Sequence, residues 1–162
     1  MVCVIGGAVT SLRLPDYLSL DASVPIPFAP FIRVGVNLTY TRDGKLYFSP
    51  PWRDVSVGLP GGSASARAGW IDPPWGPQPS TTDVDNFISG PSLTGSGYAP
   101  VVGVPGLVGV GPSIGEQWGN EGQLGWKNFS TEVGVGVGVG RNASATQSWS
   151  SLFPFPFQGP GW

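Results

Sequence analysis

The chain has 162 residues, among them 26 Gly and 18 Pro; 40% are hydrophobic, 12% aromatic and 11% charged, and the formal charge is −2. Disordered chains pair low hydrophobicity with high charge, so this balance describes a folded, turn-rich protein in which Gly and Pro exclude long helices. The absence of His removes imidazole triads, proton shuttles and nitrogen-ligated metals, and the single Cys3 allows no internal disulfide.

Eight basic residues scattered among ten acidic ones leave no footprint for nucleic acid. No run of eighteen apolar residues is present to form a membrane-spanning helix. Neither a metal nor a cofactor is expected, and no catalytic residue can be named.

The expected organisation is a leftover N-terminal segment or linker over 1–14, a β domain over 15–153 and a Pro/aromatic tail over 154–162. Tyr17 to Val24 alternates apolar with small or polar residues, as a half-buried strand does. Pro25, Pro27 and Pro30 follow and predict an edge or irregular crossing.

Residues 34–48 predict a hairpin. Val34, Val36, Leu38 and Tyr40 share one face, and Asp43-Gly44 supplies the positive φ angles of a tight turn. Pro60-Gly61-Gly62 between two alternating runs predicts a second hairpin, whose small residues Ala64, Ala66 and Ala68 imply close packing against the sheet. One helix is expected over 81–89. Ser80 or Thr82 caps it, Asp83 and Asp85 suit its first turn, and Val84, Phe87 and Ile88 form one apolar stripe.

After Ser92 the pattern returns to strands. Val133, Val135, Val137 and Val139 occupy one face of a run whose other face carries Gly134, Gly136 and Gly138. Glycine inside a strand marks close approach of another group. The Gly-Val composition shows no fixed period, so no repeat array is read. Together these elements predict an all-β fold, a small antiparallel meander barrel or sandwich of about eight short strands with one short helix.

The order of PDYLSL (15–20), VGVNLTYTRDGKLYFSP (34–50), VSVGLPGGSASARAGWI (55–71), TTDVDNFISG (81–90) and TEVGVGVG (131–138) resembles the variable C-terminal domains of Rhs-repeat and other polymorphic toxin proteins of bacteria. The resemblance covers roughly residues 15–140, with Pro51-Trp52-Arg53-Asp54 and the loop at 115–128 departing from it. It implies a toxin-like effector domain, secreted or delivered into target cells and neutralised by a cognate immunity protein.

Three kinds of action remain open at this level. Alternating Val strands suit a membrane, with Val133, Val135, Val137 and Val139 as the lipid-facing candidates and a protein core as their other destination. Trp75, Trp118 and Trp126, beside Asp72, Asp83, Asp85, Glu116, Glu121 and Glu132, suit a glycan site or a carboxylate-based sugar-cleaving cleft. Arg67 interrupts an Ala/Ser strand and faces solvent or a lumen, or binds an anion. The favoured expectation is a non-enzymatic effector acting on a membrane or by binding. A carbohydrate-binding or carbohydrate-active module and an inert structural tip are the alternatives.

Overall fold

A computed structural model describes residues 2–5, 8–11, 13–71, 76–103, 109–118, 129–139, 142–153 and 161. Strands β1 (Val2–Ile5) and β2 (Ala8–Ser11) form a two-stranded sheet of their own. The remaining strands are β3 (Tyr17–Ile26), β4 (Ala29–Thr41), β5 (Leu46–Ser49), β6 (Asp54–Gly58), β7 (Ser63–Ile71), β8 (Gly90–Tyr98), β9 (Val102–Gly103), β10 (Gly109–Trp118), β11 (Phe129–Gly138) and β12 (Asn142–Leu152). The chain is all-β as expected, and of barrel and sandwich it takes the barrel.

A 3-10 turn at Pro51–Arg53 bulges out between β5 and β6, which together fill one position of the wall. The circuit β7-β3-β4-β5/β6-β12-β8-β10 closes through β11, which pairs with both β10 and β7, so an antiparallel barrel of eight wall positions results. Closure removes the unpaired edges that an open sheet would expose.

The connections trace two Greek keys. In the first, β7 returns to lie beside β3; in the second, β12 returns to lie beside β8. The keys echo each other in sequence. Asp54-Val55-Ser56-Val57 precedes Ser63-Ala64-Ser65-Ala66 and Trp70, while Glu132-Val133-Gly134-Val135 precedes Asn142-Ala143-Ser144-Ala145 and Trp149. A search for a short fixed period misses this correspondence, because the repeating unit is a whole key.

The Pro60-Gly61-Gly62 link is therefore not a hairpin turn. Strands β6 and β7 do not pair, and the link crosses the mouth of the barrel from the β4 side to the β3 side. The Asp43-Gly44 hairpin does form, as a three-residue loop closed by the Thr41 N–H to the Lys45 carbonyl at 2.9 Å. Only Gly44 carries the left-handed angle, at φ 87°, the geometry of a type I turn with a glycine bulge.

Helix α1 (Thr81–Ile88) lies within one residue of its expected span. Ser80 accepts from the Asp83 N–H while Asp83 accepts from the Ser80 N–H, a reciprocal capping box. Val84, Phe87 and Ile88 are buried with Tyr17, Tyr47 and Ile71, forming the apolar core among the described residues. This core sits at one end of the barrel, here the helix end. The other, the tip end, holds the β3–β4 turn and the β6–β7 link. The Pro/aromatic tail expected over 154–162 lies largely outside the described residues.

Candidate functional site: an apolar wall around a charged lumen

Alternation places two unlike surfaces on every strand. On β3, Tyr17, Ser19, Asp21 and Ser23 point inward while Leu18, Leu20, Ala22 and Val24 point outward. On β4, Arg33, Gly35, Thr39 and Thr41 are buried, and Ile32 and Val36 are exposed. Strand β11 buries Ser130, Glu132, Gly136 and Gly138 and exposes Val133, Val135, Val137 and Val139. The four valines thus face outward rather than into a protein core. The barrel is inverted relative to a water-soluble one: its inside is polar and its outside apolar.

An eight-position barrel has an interior just wide enough for side chains. Here Arg67 fills it as one of the lumen alternatives required. Its Nη1 stands 2.7 Å from Glu132 Oε2, and its Nη2 pairs with Asp21. Asp21 accepts from the Ser65 hydroxyl at 2.6 Å. The Tyr17 hydroxyl donates to Glu132 Oε1 at 3.0 Å and lies 2.6 Å from Ser130 Oγ. Arg67 and Glu132 expose about 4% and 2% of their side chains, so each neutralises the other in a site nearly closed to water.

The inward glycines are the floor on which these groups rest. A Cβ on Gly115 would run into the Arg67 guanidinium, and one on Gly136 would stand 2.8 Å from the Tyr98 ring. On β11 the Tyr98 ring, a lumen side chain, approaches Gly136, whereas Gly134 and Gly138 stand against the adjoining chain at Ala66, Gly62 and Ser63. The stripe of Ala64, Ala66 and Ala68 points outward, and the described structure places no packing layer on it. It leaves shallow hollows of about 540 and 430 Å³ between Leu18, Leu20, Leu38 and Val135.

The helix end carries the charge. Asp16, fully buried, accepts from the Ile71 N–H at 2.9 Å and pairs with Arg13 at 2.8 Å and Arg42 at 3.4 Å. Burial pushes its carboxyl up from the usual range, against the pull of the Ile71 N–H and the two guanidinia. Lys45 reaches both Asp85 of α1 and Asp43, the latter at 2.9 Å, and Asp85 also accepts from the Tyr47 hydroxyl at 2.8 Å. The Asp85 and Asp43 carboxylates hold the Lys45 ammonium above its ordinary value. Burial works against the Asp43 carboxylate, yet the Thr41 hydroxyl and Lys45 outweigh it and hold its pKa low. Asp83 and Asp85 are thereby accounted for by the cap and the latch.

Just outside this end stands a ring of aromatics. Trp70 donates its Nε1–H to the Arg13 carbonyl at 2.9 Å. Trp118 meets Phe129 edge-on at 5.8 Å, Phe48 meets Phe153 at 6.0 Å, and the Arg53 guanidinium lies 5.7 Å from the centre of the Trp149 ring. Of the three Trp proposed for a glycan site, Trp118 joins this ring, while Trp75 and Trp126 lie outside the described residues. The described structure does not bring them together.

Sequence reasoning missed the aromatic ring, the Arg67–Glu132 pair and the tip residue Phe28. A signal was present on β3, where Ser19, Asp21 and Ser23 share one parity and Leu18, Leu20 and Val24 the other, and on β11, where Ser130 and Glu132 stand opposite Val133, Val135 and Val137.

A closed antiparallel barrel with a charged, side-chain-filled lumen and an apolar wall is the class these features define. No family model, curated protein or solved structure matches the chain.

Proposed function

We propose that the chain is a membrane-inserting effector domain of the polymorphic-toxin kind, acting on a lipid bilayer without enzymatic chemistry. The observation that carries this reading is the outward display of Leu18, Leu20, Val36, Val55, Val57, Ile114, Val133 and Val135 around a lumen that keeps its charges inside. In water such a wall costs roughly 25 cal/mol for each Å² of apolar surface left exposed, and in hydrocarbon that cost disappears. Strands β3, β10 and β11 have ten residues each, within the 9–11 typical of tilted strands that span a bilayer. Backbone satisfaction by closure is the other requirement of hydrocarbon, and the barrel meets it.

The toxin context rests on the sequence resemblance, and with it come delivery into a target cell and protection of the producer by a cognate immunity protein. The test is flotation of the full chain with phospholipid vesicles, followed by release of an entrapped dye. Co-flotation and release are expected; protein left in the aqueous phase overturns the reading. Expression in the bacterial cytoplasm and in the periplasm then identifies the susceptible face of the membrane by growth arrest.

A further inference from the structure

The two ends of the barrel differ in a way the apolar wall alone does not require. Among the described residues, the charged groups outside the lumen all lie towards the helix end: Arg13, Asp16, Arg42, Asp43, Lys45, Asp83 and Asp85 at the end itself, and Glu116 and Arg53 on the wall near the aromatic ring. At the tip end the exposed large side chains among the described residues include Phe28 (99% exposed), Phe31, Leu59, Val101 (74%) and Val102 (72%). The charge described nearest the tip, Arg33, is buried.

Resting on the membrane reading above, we infer that the tip end enters the bilayer first, while the helix end stays at the headgroup surface with its aromatic ring at the interface. Three features of the tip fit it for hydrocarbon. Its exposed large side chains, among the described residues, are apolar. Its turns carry Pro25, Pro27, Pro30, Pro60 and Pro100, which have no N–H to leave unsatisfied. The β6–β7 link across its mouth bonds to the barrel at both ends: the Leu59 N–H donates to the Ala143 carbonyl at 3.1 Å and the Gly62 carbonyl accepts from the Val139 N–H at 3.2 Å. The Arg33 guanidinium, turned inward, donates to the Gly61 carbonyl at 3.1 Å and caps that link from below.

The helix end has the opposite chemistry. Carrying its ion pairs through hydrocarbon is far costlier than carrying phenylalanine and valine, so the two directions of entry are not equivalent. The Trp side chains near it have an apolar body and a polar handle, which suits the headgroup layer. From that layer, ten-residue strands at the usual barrel tilt reach about 25 Å, the height of a bilayer-spanning apolar band.

The experiment uses full-length Cys3→Ser protein carrying one new cysteine, Val102→Cys at the tip or Thr82→Cys on α1, labelled with the environment-sensitive dye NBD. Each is floated with phosphatidylethanolamine–phosphatidylglycerol vesicles and challenged with aqueous iodide and with lipid-borne doxyl quenchers. The expected result is a label at 102 that is shielded from iodide and quenched from within the lipid, beside a label at 82 that stays open to iodide. A shielded 82 or an iodide-open 102 on floating protein overturns the direction of entry alone. Protein that does not float overturns both the direction and the membrane reading.

A Phe28→Asp/Phe31→Asp variant sharpens the test. Both side chains are exposed, so the barrel keeps its packing, yet vesicle partition should fall by about 100-fold or more. Partition equal to that of the unaltered chain overturns the direction of entry.

Discussion

The helix end and the tip end of this barrel solve the same problem, closing the mouth of a narrow lumen, with opposite materials. The helix end uses a capped helix, buried carboxylates and the Lys45–Asp85 latch. The tip end uses prolines, the short β6–β7 link and exposed Phe28 and Val102. A soluble barrel would have no reason to separate charge from apolar surface along its axis. The proposed orientation at a membrane interface accounts for this difference, because such an interface changes the surroundings along the barrel axis.

The largest expected effect lies between the two ends. Arg67→Ala would leave Glu132 buried without its partner, and loss of about 3–5 kcal/mol is expected. Urea unfolding of the variant measures it; stability equal to the parent's would mean that the lumen does not hold the two ends together.

Next comes the wall. Val135→Arg, near the middle of β11, should weaken insertion by about 2–4 kcal/mol, whereas Thr131→Arg, beside the aromatic ring, should cost about 0–1 kcal/mol. Vesicle partition of the two variants reads this gradient directly, and equal losses would erase the distinction between ends. Ser80→Ala removes the hydroxyl of the capping box and should loosen α1 by about 1 kcal/mol. Hydrogen exchange should quicken in 81–88 and stay unchanged in the β3–β4 turn.

The smallest effect is the pH response of the Lys45–Asp43 contact at the helix end. Asp43 is held low, so its contribution is present above the ordinary carboxylate range and is lost as pH falls through its depressed folded value. Lys45 is held high, so its contribution is present below its ordinary value and fades as pH rises through the raised one. The Lys45–Asp43 contribution to exchange protection of α1 should therefore hold from about pH 4 to about pH 10 and be lost outside it, while Asp16, held high by burial, acts in the opposite direction as pH falls. A matching drop at the tip would contradict the assignment of charge to one end.

Much of the local structure is readable residue by residue. Asp43-Gly44 forms its turn because Gly44 tolerates a positive φ that the other residues avoid. The span of α1 follows from Ser80 and from the stripe of Val84, Phe87 and Ile88. Pairing was less legible. Pro60-Gly61-Gly62 has the composition of a hairpin turn, but its four-residue reach from Leu59 also suffices to cross a narrow barrel, and only long-range pairing with β3 and β12 chooses between them. Of the three Trp residues proposed for a glycan site, the described Trp118 follows strand parity onto the outer wall, a placement that needs the closed barrel to become visible.

What the amino-acid order determined by itself was a set of strands, each with an aliphatic face and a small or polar face, and one capped helix. A two-residue period is symmetric, however, and does not state which face looks inward. That choice belongs to closure. Eight wall positions leave a lumen too narrow for rows of Leu and Val but wide enough for Gly and Ser beside Arg33, Arg67, Asp21, Asp54, Glu132 and the Tyr17 and Tyr98 rings. The aliphatic faces are therefore turned outward, and the tertiary structure alone decides that this chain presents its apolar surface to its surroundings.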